Sequence, residues 1–487
     1  MRLFPIALPT VRSGLLRLTA TFALAGLVGC AAGVSPAPSP TPSTRIEAFV
    51  DSLQARTFAY FWETTNARNG LAPDRWPNPP FASIAAVGFA LTAYPVGVER
   101  RWVTRAEAAE RTLTTLRFMW GLPQGTDATG LAGDRGFFYH FLDMETGLRY
   151  RNTELSTIDT GLLLAGVLVV QQYFDGTDAR EIAIRAYADS LYRRVEWPYF
   201  LRDQRPLITM AWRPERGFGP AAYRGYDEAM ILYVLALGSP THPIEPEAWR
   251  AFTSTYEWAD FQGFTHVNFP PLFGHQYSHI FIDFRGIFDA YMRDRGIDYF
   301  ENSARATRSQ RQYAIANPGR WTDYSGDIWG LTASDGPADT TIVIDGVSRR
   351  FHRYWARGAA APYINDDGTI APTAAGGSIP FAPDITTRAL VAMRERYGDD
   401  LYTRYGFLDA FNPTLKDATL RLVRGRIVAG KGWFDDNYIG IDQGPIVAMI
   451  ENHRSGLLWE LMKKNPYIVR GLCRAGFTGG WIEGRCN

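Results

Sequence analysis

The sequence predicts an all-α fold, an (α/α)6 barrel in which an inner ring of helices is enclosed by an outer one, with long aromatic loops and a few short β-hairpins. Three observations predict it. About a dozen helical segments of ordinary length follow one another along the chain. They alternate between amphipathic segments and nearly all-apolar ones, as an outer ring with one wet face and an inner ring buried on both sides require. No strand–helix–strand alternation is present, which disfavours a parallel sheet, and no short repeat suggests a solenoid.

The first 44 residues stand apart from this pattern. Arg2, Arg12 and Arg17 precede an apolar run from Leu18 to Val28, too short to span a bilayer and patterned as an export signal. The run ends Leu27-Val28-Gly29-Cys30, which resembles a bacterial lipobox. Residues 1–29 therefore read as a lipoprotein signal peptide and Cys30 as the lipidated residue, with cleavage near Ala31-Ala32 as the alternative. Residues 30–44 are a Pro/Ser tether that should stay extended, and residues 45–487 form a single catalytic-size domain. Membrane contact is expected only through the lipid, and the expected address is the periplasm-facing or cell-surface side of the outer membrane.

Ile46, Phe49, Val50, Leu53, Phe58, Phe61 and Trp62 recur near the helical period and open the domain. A Pro-rich stretch from Asn69 to Pro80 breaks that helix. Ser83 then opens an interior helix over 84–94. Thr104-Arg105-Ala106-Glu107 has the capping-box pattern and starts an amphipathic helix reaching about Trp120. Gly136 to Asp143, a turn at Met144–Gly147 and Leu148 to Tyr150 predict a β-hairpin. An apolar helix over 161–173 and an amphipathic one over 178–197 come next. Arg224-Gly225-Tyr226-Asp227-Glu228-Ala229-Met230 feeds an almost wholly apolar helix ending at Gly238. Helices are expected over 246–258, from His279 through Met292, and over 299–316. Residues 323–378, rich in Gly, Asp and Pro with a strand-like Thr341-Ile342-Val343-Ile344, predict a long functional loop region. Helices return over 384–397, 412–423 and 441–464, the last broken at Ser455-Gly456.

Composition narrows the function. Lys+Arg 51 against Asp+Glu 50 gives a net charge of +1, no electrostatic case for nucleic acid or an anionic membrane. Aromatic residues make up 14%, which suits stacking on sugar rings and equally suits a large core. Of three cysteines, Cys473 and Cys486 are candidates for a disulfide in an oxidising compartment. There is no phosphate loop, no Gly-x-Ser-x-Gly elbow and no His-Glu-x-x-His. His275 and His279 lie four apart but lack a third ligand. No metal and no cofactor are expected.

Carboxylates recur at junctions leading into apolar helices: Asp74, Glu154 with Asp159, Asp227 with Glu228, and Asp435, Asp436 and Asp442. In a helical toroid such junctions converge on one central cleft. A protonated carboxyl facing an ionised one is what glycosidic hydrolysis requires. Asp227 and Glu228 are expected at the first turn of their helix, where burial raises a carboxyl pKa and the helix dipole lowers it. Each acid is also a plausible cap or ion-pair partner.

Seven motifs in order resemble the glucoamylase-like domain family, whose members include bacterial endo-β-1,2-glucanases and which is related to a domain of cyclic β-1,2-glucan synthases. They are Asn69-Gly70-Leu71 with Asp74-Arg75, Ser83 to Phe89, Gly136 to Asp143, Glu154 to Thr160, Tyr226 to Ala229, Gly274 to His279 and Tyr438 to Pro445. The resemblance runs from about Arg45 to Arg470. It implies an (α/α)6 barrel acting on β-1,2-linked glucose chains, with inversion at the anomeric carbon. Glu228 matches the general acid, and Glu154 and Asp159 match the acidic cluster opposite. Substrate contacts are expected from Asp74, Arg75, Tyr139, His140, Asp143, Asp227, His275, Gln276, Asp442 and Gln443. The expected partner is an oligo- or polysaccharide bound to a monomer. A transglycosylase or a hydrolase of another glycan on this scaffold is the second reading, and a non-catalytic glycan-binding lipoprotein the third.

Overall fold

The structure, a computed structural model, describes residues 42–79, 81–201 and 206–486. The expected signal peptide, Cys30 and nearly all of the tether lie outside the described residues. Fifteen α-helices are described: α1 (Pro42–Thr64), α2 (Ile84–Glu99), α3 (Arg105–Gly121), α4 (Thr157–Tyr173), α5 (Ala179–Arg193), α6 (Met230–Gly238), α7 (Glu247–Thr253), α8 (Tyr277–Phe281), α9 (Ala290–Arg295), α10 (Tyr299–Ala316), α11 (Pro372–Gly376), α12 (Pro383–Tyr397), α13 (Gly440–Arg454), α14 (Leu457–Lys464) and α15 (Pro466–Arg474).

Hydrophobicity sorts these helices into two rings. α2, α4, α6, α8, α11 and α13 are buried along nearly their whole length and form the inner ring. α1, α3, α5, α7, α10 and α12 each keep a wet face and form the outer ring. The expected (α/α)6 barrel is thus the observed one, with α8 and α11 reduced to five residues each. α2 and α4 make the most extensive inner contact, and glycines allow it. A Cβ on Gly88 would lie 2.4 Å from the Leu162 carbonyl oxygen, and one on Gly166 2.1 Å from the Gly88 carbonyl oxygen. α14 and α15 close the far end: Trp459 donates to the His279 carbonyl at 2.7 Å, and Asn465 meets Gln171 near the end of α4. A disulfide joins Cys473 in α15 to Cys486, with Cα atoms 5.2 Å apart.

The strands are short and form sheets of two or three. Their use is local: three inner helices are each entered from a two-residue strand stitched to a neighbouring loop. Ala82–Ser83 pairs with Phe141–Leu142 before α2. Leu155–Ser156 pairs with Ala211–Trp212 before α4. Tyr438–Ile439 pairs with Arg75–Trp76 before α13. Ser83 and Ser156 then cap their helices, accepting from Ala86 and Asp159. The residues just before these three inner helices are thereby fixed at one end of the barrel.

Four expectations about elements need correction. The expected hairpin is present but shorter: residues 141–143 meet residues 148–150 through an antiparallel bridge at Leu142 and Arg149. The Tyr150 amide donates to the Phe141 carbonyl at 3.0 Å and the Asp143 amide to the Leu148 carbonyl at 2.8 Å. Phe137–Phe138 pairs with Gly133–Asp134, and Phe141–Leu142 also pairs with Ala82–Ser83. The helix expected over 246–258 stops at Thr253, and Trp258–Phe261 turns through Gln262 and Gly263, both at positive φ, to pair with Phe264–Val267. The helix expected through Met292 ends at Phe281, where Asp283 bends the chain by accepting from the backbone and guanidinium of Arg285. Residues 412–423 are not helical. Asn412 caps a turn there, its Oδ1 accepting from Thr414 and Leu415 and its Nδ2 donating to the Asp367 carbonyl. The long loop region over 323–378 holds the hairpin Thr340–Ile344 with Val347–Phe351. A fully buried ion pair, Arg357 with Asp367 at 2.7 Å, braces it, and Arg357 also donates to the Ser334 and Asp335 carbonyls.

Candidate active site

The N-terminal ends of the inner helices gather two acidic walls. On the first, Glu154 lies just before the strand that enters α4, and Asp159 sits in the first turn of α4. His140 bridges them, its Nδ1 3.0 Å from Glu154 Oε1 and its Nε2 3.5 Å from Asp159 Oδ2. Arg213, carried by the strand paired to Leu155–Ser156, donates to Glu154 Oε2 at 2.6 Å. Both oxygens of Glu154 are therefore committed. Burial alone would raise its pKa, but the hydrogen bond and charge of His140, with Arg213, hold it down at about 2. Burial would lower His140, yet Asp159, Glu154 and Asp74 outweigh it and raise His140 to about 9. The imidazole is thus a fixed cation at neutral pH. Asp159 Oδ2 takes the Ser156 hydroxyl, and no donor engages its other oxygen among the described residues.

Glu228 faces this wall from the turn before α6. Gly225, at φ +78°, makes the turn, and Asp227 Oδ1 accepts from the Ala229 amide at 2.9 Å. Ser278 of α8 donates to the Glu228 carbonyl at 2.8 Å and accepts from the Ile231 amide at 2.9 Å. The two carboxylates thus precede the helix instead of occupying its first turn, so the dipole opposes a raised pKa less than expected. No neighbouring side chain bonds the Glu228 carboxyl among the described residues. Burial pushes its pKa up to about 7, its own backbone opposes the rise, and the charge of Asp159 adds to it. Asp227 is raised too, by burial and by Glu228.

The second wall forms around Arg75, which bonds Asp74 at 3.1 Å and Asp335 at 2.7 Å. Arg424 reaches the same Asp335 oxygen at 2.9 Å. Asp409 Oδ2 accepts from the Asp335 amide at 2.7 Å, and Asp442, in the first turn of α13, lies against Asp409. Burial pushes Asp442 up to about 7. Tyr277 stands between the walls: its hydroxyl donates to the Ile441 carbonyl at 3.2 Å, and after burial the charges of Asp442, Glu228 and Asp159 all raise it. The half-exposed rings of Tyr354 and Tyr363 come from the long loop region; Tyr354 feels Asp442 and Tyr363 feels Glu228. Such rings can stack on sugar faces. A groove of about 550 Å³ lined by Trp321, Arg349, Arg350, His352 and Trp355 shares no residue with either wall.

Glu228, Glu154, Asp159, His140, Asp74, Arg75 and Asp442 are thus brought to the two walls. The remaining candidates have other work. His275 is fully buried, its Nε2 on the Phe269 carbonyl and its Nδ1 at Ser303. Gln276 donates to the Ala374 carbonyl and Ser378, and Gln443 to the Phe407 carbonyl. Tyr139 is wholly buried under Arg149. Asp143 caps its own turn, accepting from the amides of Glu145 and Thr146, and Asp227 does the same for Ala229. Except at Tyr139, which packs under Arg149, a backbone group needed a partner and took the side chain that sequence position suggested for the cleft. Conversely, Arg213, Asp335, Asp409, Arg424 and Tyr354 belong to the site without having been singled out. Arg213 sits at the end of a three-residue strand and the others come from loops with no periodicity, and only the run Asp435-Asp436 signalled that acids gather there.

This is the (α/α)6 toroid with carboxylates at the mouth of its inner ring. The family described as "Glycoamylase: Putative glucoamylase" matches residues 221–466. A solved structure from Bacteroides uniformis ATCC 8492, titled a putative glucoamylase, shares 32% identity, with 90% of this chain and 98% of that chain covered and a TM-score of 0.75. The chain belongs to this glucoamylase-like family. It is also similar to an endo-β-1,2-glucanase from Chitinophaga pinensis solved with sophorotriose and glucose, at 28% identity, 90% and 99% coverage and a TM-score of 0.76. A curated relative from Parabacteroides distasonis, an exo β-1,2-glucooligosaccharide sophorohydrolase acting at the non-reducing end, is 29% identical over 460 residues. That match takes in 88% of this chain, which spans 57% of the relative's length.

Proposed function

We propose that this protein is a glycoside hydrolase that cleaves β-1,2-linked glucan internally, with Glu228 as general acid and Asp159 as general base. One observation carries the reading: a carboxyl with no side-chain partner, raised to about 7, faces a wall whose glutamate is held as an anion at about 2. Glu228 donates its proton to the leaving glycosidic oxygen. Asp159, with one oxygen free, takes a proton from the water that attacks the anomeric carbon. Glu154, His140 and Arg213 hold Asp159 in place, and Arg75 with Asp74 binds sugar hydroxyls from the second wall. The β-1,2 linkage is supported by the names of the relatives at 28% and 29% identity. Incubating the soluble body, residues 45–487, with a panel of β-glucans and sizing the products tests it. A ladder of β-1,2-gluco-oligosaccharides is the expected result; no cleavage of β-1,2-glucan contradicts it.

A second reading, release of disaccharide from chain ends, is favoured by the name of the Parabacteroides relative. It would give sophorose alone from the first minutes of reaction. We infer further that the protein is an exported lipoprotein, on the strength of Arg2, Arg12 and Arg17, the apolar run and Leu27-Val28-Gly29-Cys30. Cys30→Ser should release it from membranes, which fractionation reads directly; a variant that stays membrane-bound contradicts the anchor.

A further inference from the structure

The second wall and the loop behind it hold three carboxylates to which the proposed hydrolysis gives no step. Asp335, Asp409 and Asp435 come from three separate loops, are 0%, 2% and 0% exposed, and each offers one ligand oxygen within 4.8 Å of the others. What marks them out is how their oxygens are spent. Asp335 Oδ2 takes Arg75 and Arg424, Asp409 Oδ2 takes the Asp335 amide, and Asp435 Oδ1 takes the Asp436 amide. The second oxygen of each, Asp335 Oδ1, Asp409 Oδ1 and Asp435 Oδ2, is buried with no donor. A fourth, Oδ2 of the adjacent buried Asp442, has no donor from any group outside the acidic cluster, and the Asp409 and Asp442 carboxyls lie within hydrogen-bond reach of each other. Buried acceptors without a protein donor forfeit the stabilisation that buried polar groups normally receive.

Charge makes the same point. Asp74, Asp335, Asp409, Asp435 and Asp442 meet Arg75 and Arg424, with the His140 cation beside Asp74. Ionised, the group carries two more negative than positive charges inside the protein. Such a cluster must take up protons or a cation.

We propose that Asp335, Asp409 and Asp435 bind one hard divalent cation of the calcium class, with Asp442 as neighbouring acceptor. All donors are carboxylate oxygens, which select calcium, magnesium or manganese over thiophilic metals. Calcium–oxygen distances of roughly 2.3–2.6 Å keep any two ligands of one ion within about 5.2 Å, a limit the three oxygens meet, and calcium accepts the irregular geometry of carboxylates from separate loops where magnesium demands a near-ideal octahedron. The cation ties the loop of Asp335 to those of Asp409 and Asp435, and so braces Arg75 and Asp442 at the floor of the cleft. The absence of a metal expected from the sequence is what this replaces, since the ligands share no local spacing.

The soluble body stripped with EDTA and dialysed at pH 7.5 is titrated with Ca2+, Mg2+ or Mn2+ alone, reading heat, bound metal per chain by mass spectrometry, and melting temperature. One Ca2+ per chain is expected, bound more tightly than Mg2+, with melting raised by a few degrees at saturating ion. Asp435→Asn should abolish stoichiometric binding, while Asp178→Asn, far from the cluster, should keep it. If stripped wild-type protein binds no ion and its melting is unmoved, the proposal is overturned and the cluster is held by protons. Equal binding by folded Asp435→Asn and wild type overturns it as well. Should Asp435→Asn not fold, the wild-type titration decides alone.

Discussion

Glu154 and Glu228 are the same side chain in opposite electrical conditions, on facing sides of one cleft. Glu154 has both oxygens engaged, by His140 and Arg213, and is held at about 2. Glu228 has no neighbouring side chain to bond and is raised to about 7. Burial acts upward on both; partners reverse it at one and not at the other. Protonation at neutral pH is therefore assigned by what each turn provides, since the two acids are alike in type and in position before an inner helix. Under the proposed mechanism this difference lets Glu228 serve as the acid while Glu154 shapes the ionised wall.

Breaking the protonated side should cost most. Glu228→Gln should lower kcat on β-1,2-glucan by on the order of 10³-fold with oligosaccharide binding retained, as steady-state kinetics and calorimetry would show. Asp159→Asn should cost a similar factor if it is the base. Cutting a partner of Glu154 sharpens the comparison from the other side. Arg213→Ala leaves one oxygen free and loosens the wall, and kcat should fall about tenfold.

The pH profile separates the two glutamates without mutation. Glu228 must be protonated, so kcat/KM should fall above about pH 7. Glu154 lies below its ordinary value, so the stability it contributes is present above the usual carboxylate range and is lost as pH falls toward about 2. His140 lies above its ordinary value; its contribution is complete below about 6.5 and is lost as pH rises through about 9. Melting curves across pH 2–10 should show both flanks. The smallest effect on catalysis is expected at the closed end of the barrel. Cys473→Ser opens a loop with a sequence separation of 13 and should cost about 3 kcal/mol of stability, while kcat of the folded fraction stays unchanged.

Much of the scaffold was legible because it is written in periodicity and caps. Ser83 and the capping box at Thr104 start helices where expected, and Gly456, at φ +69°, breaks the final long segment. The apolar runs of α2, α4 and α6 announced the inner ring. What failed were segments whose helical pattern was overridden by tertiary bonds. Trp258–Phe261 spends its apolar residues on a hairpin, and Asn412 bonds Asp367 across the fold. In the site, Glu228, Glu154 and Asp159 were legible because each precedes or opens an apolar helix. Asp335, Asp409 and Arg424 were not, since loops joined only in three dimensions carry no spacing to read. His275 and Gln276 show the converse: a motif names residues, and only packing tells whether they face a ligand or a backbone.

The most direct test of the acid role uses leaving groups. Glu228→Gln should be compared with wild type on β-1,2-glucan and on a dinitrophenyl glycoside of a β-1,2-gluco-oligosaccharide, whose departure needs no proton. The account predicts that the variant loses the glucan reaction and keeps most of its rate on the activated substrate. Equal loss on both substrates, or full activity on glucan, would contradict it.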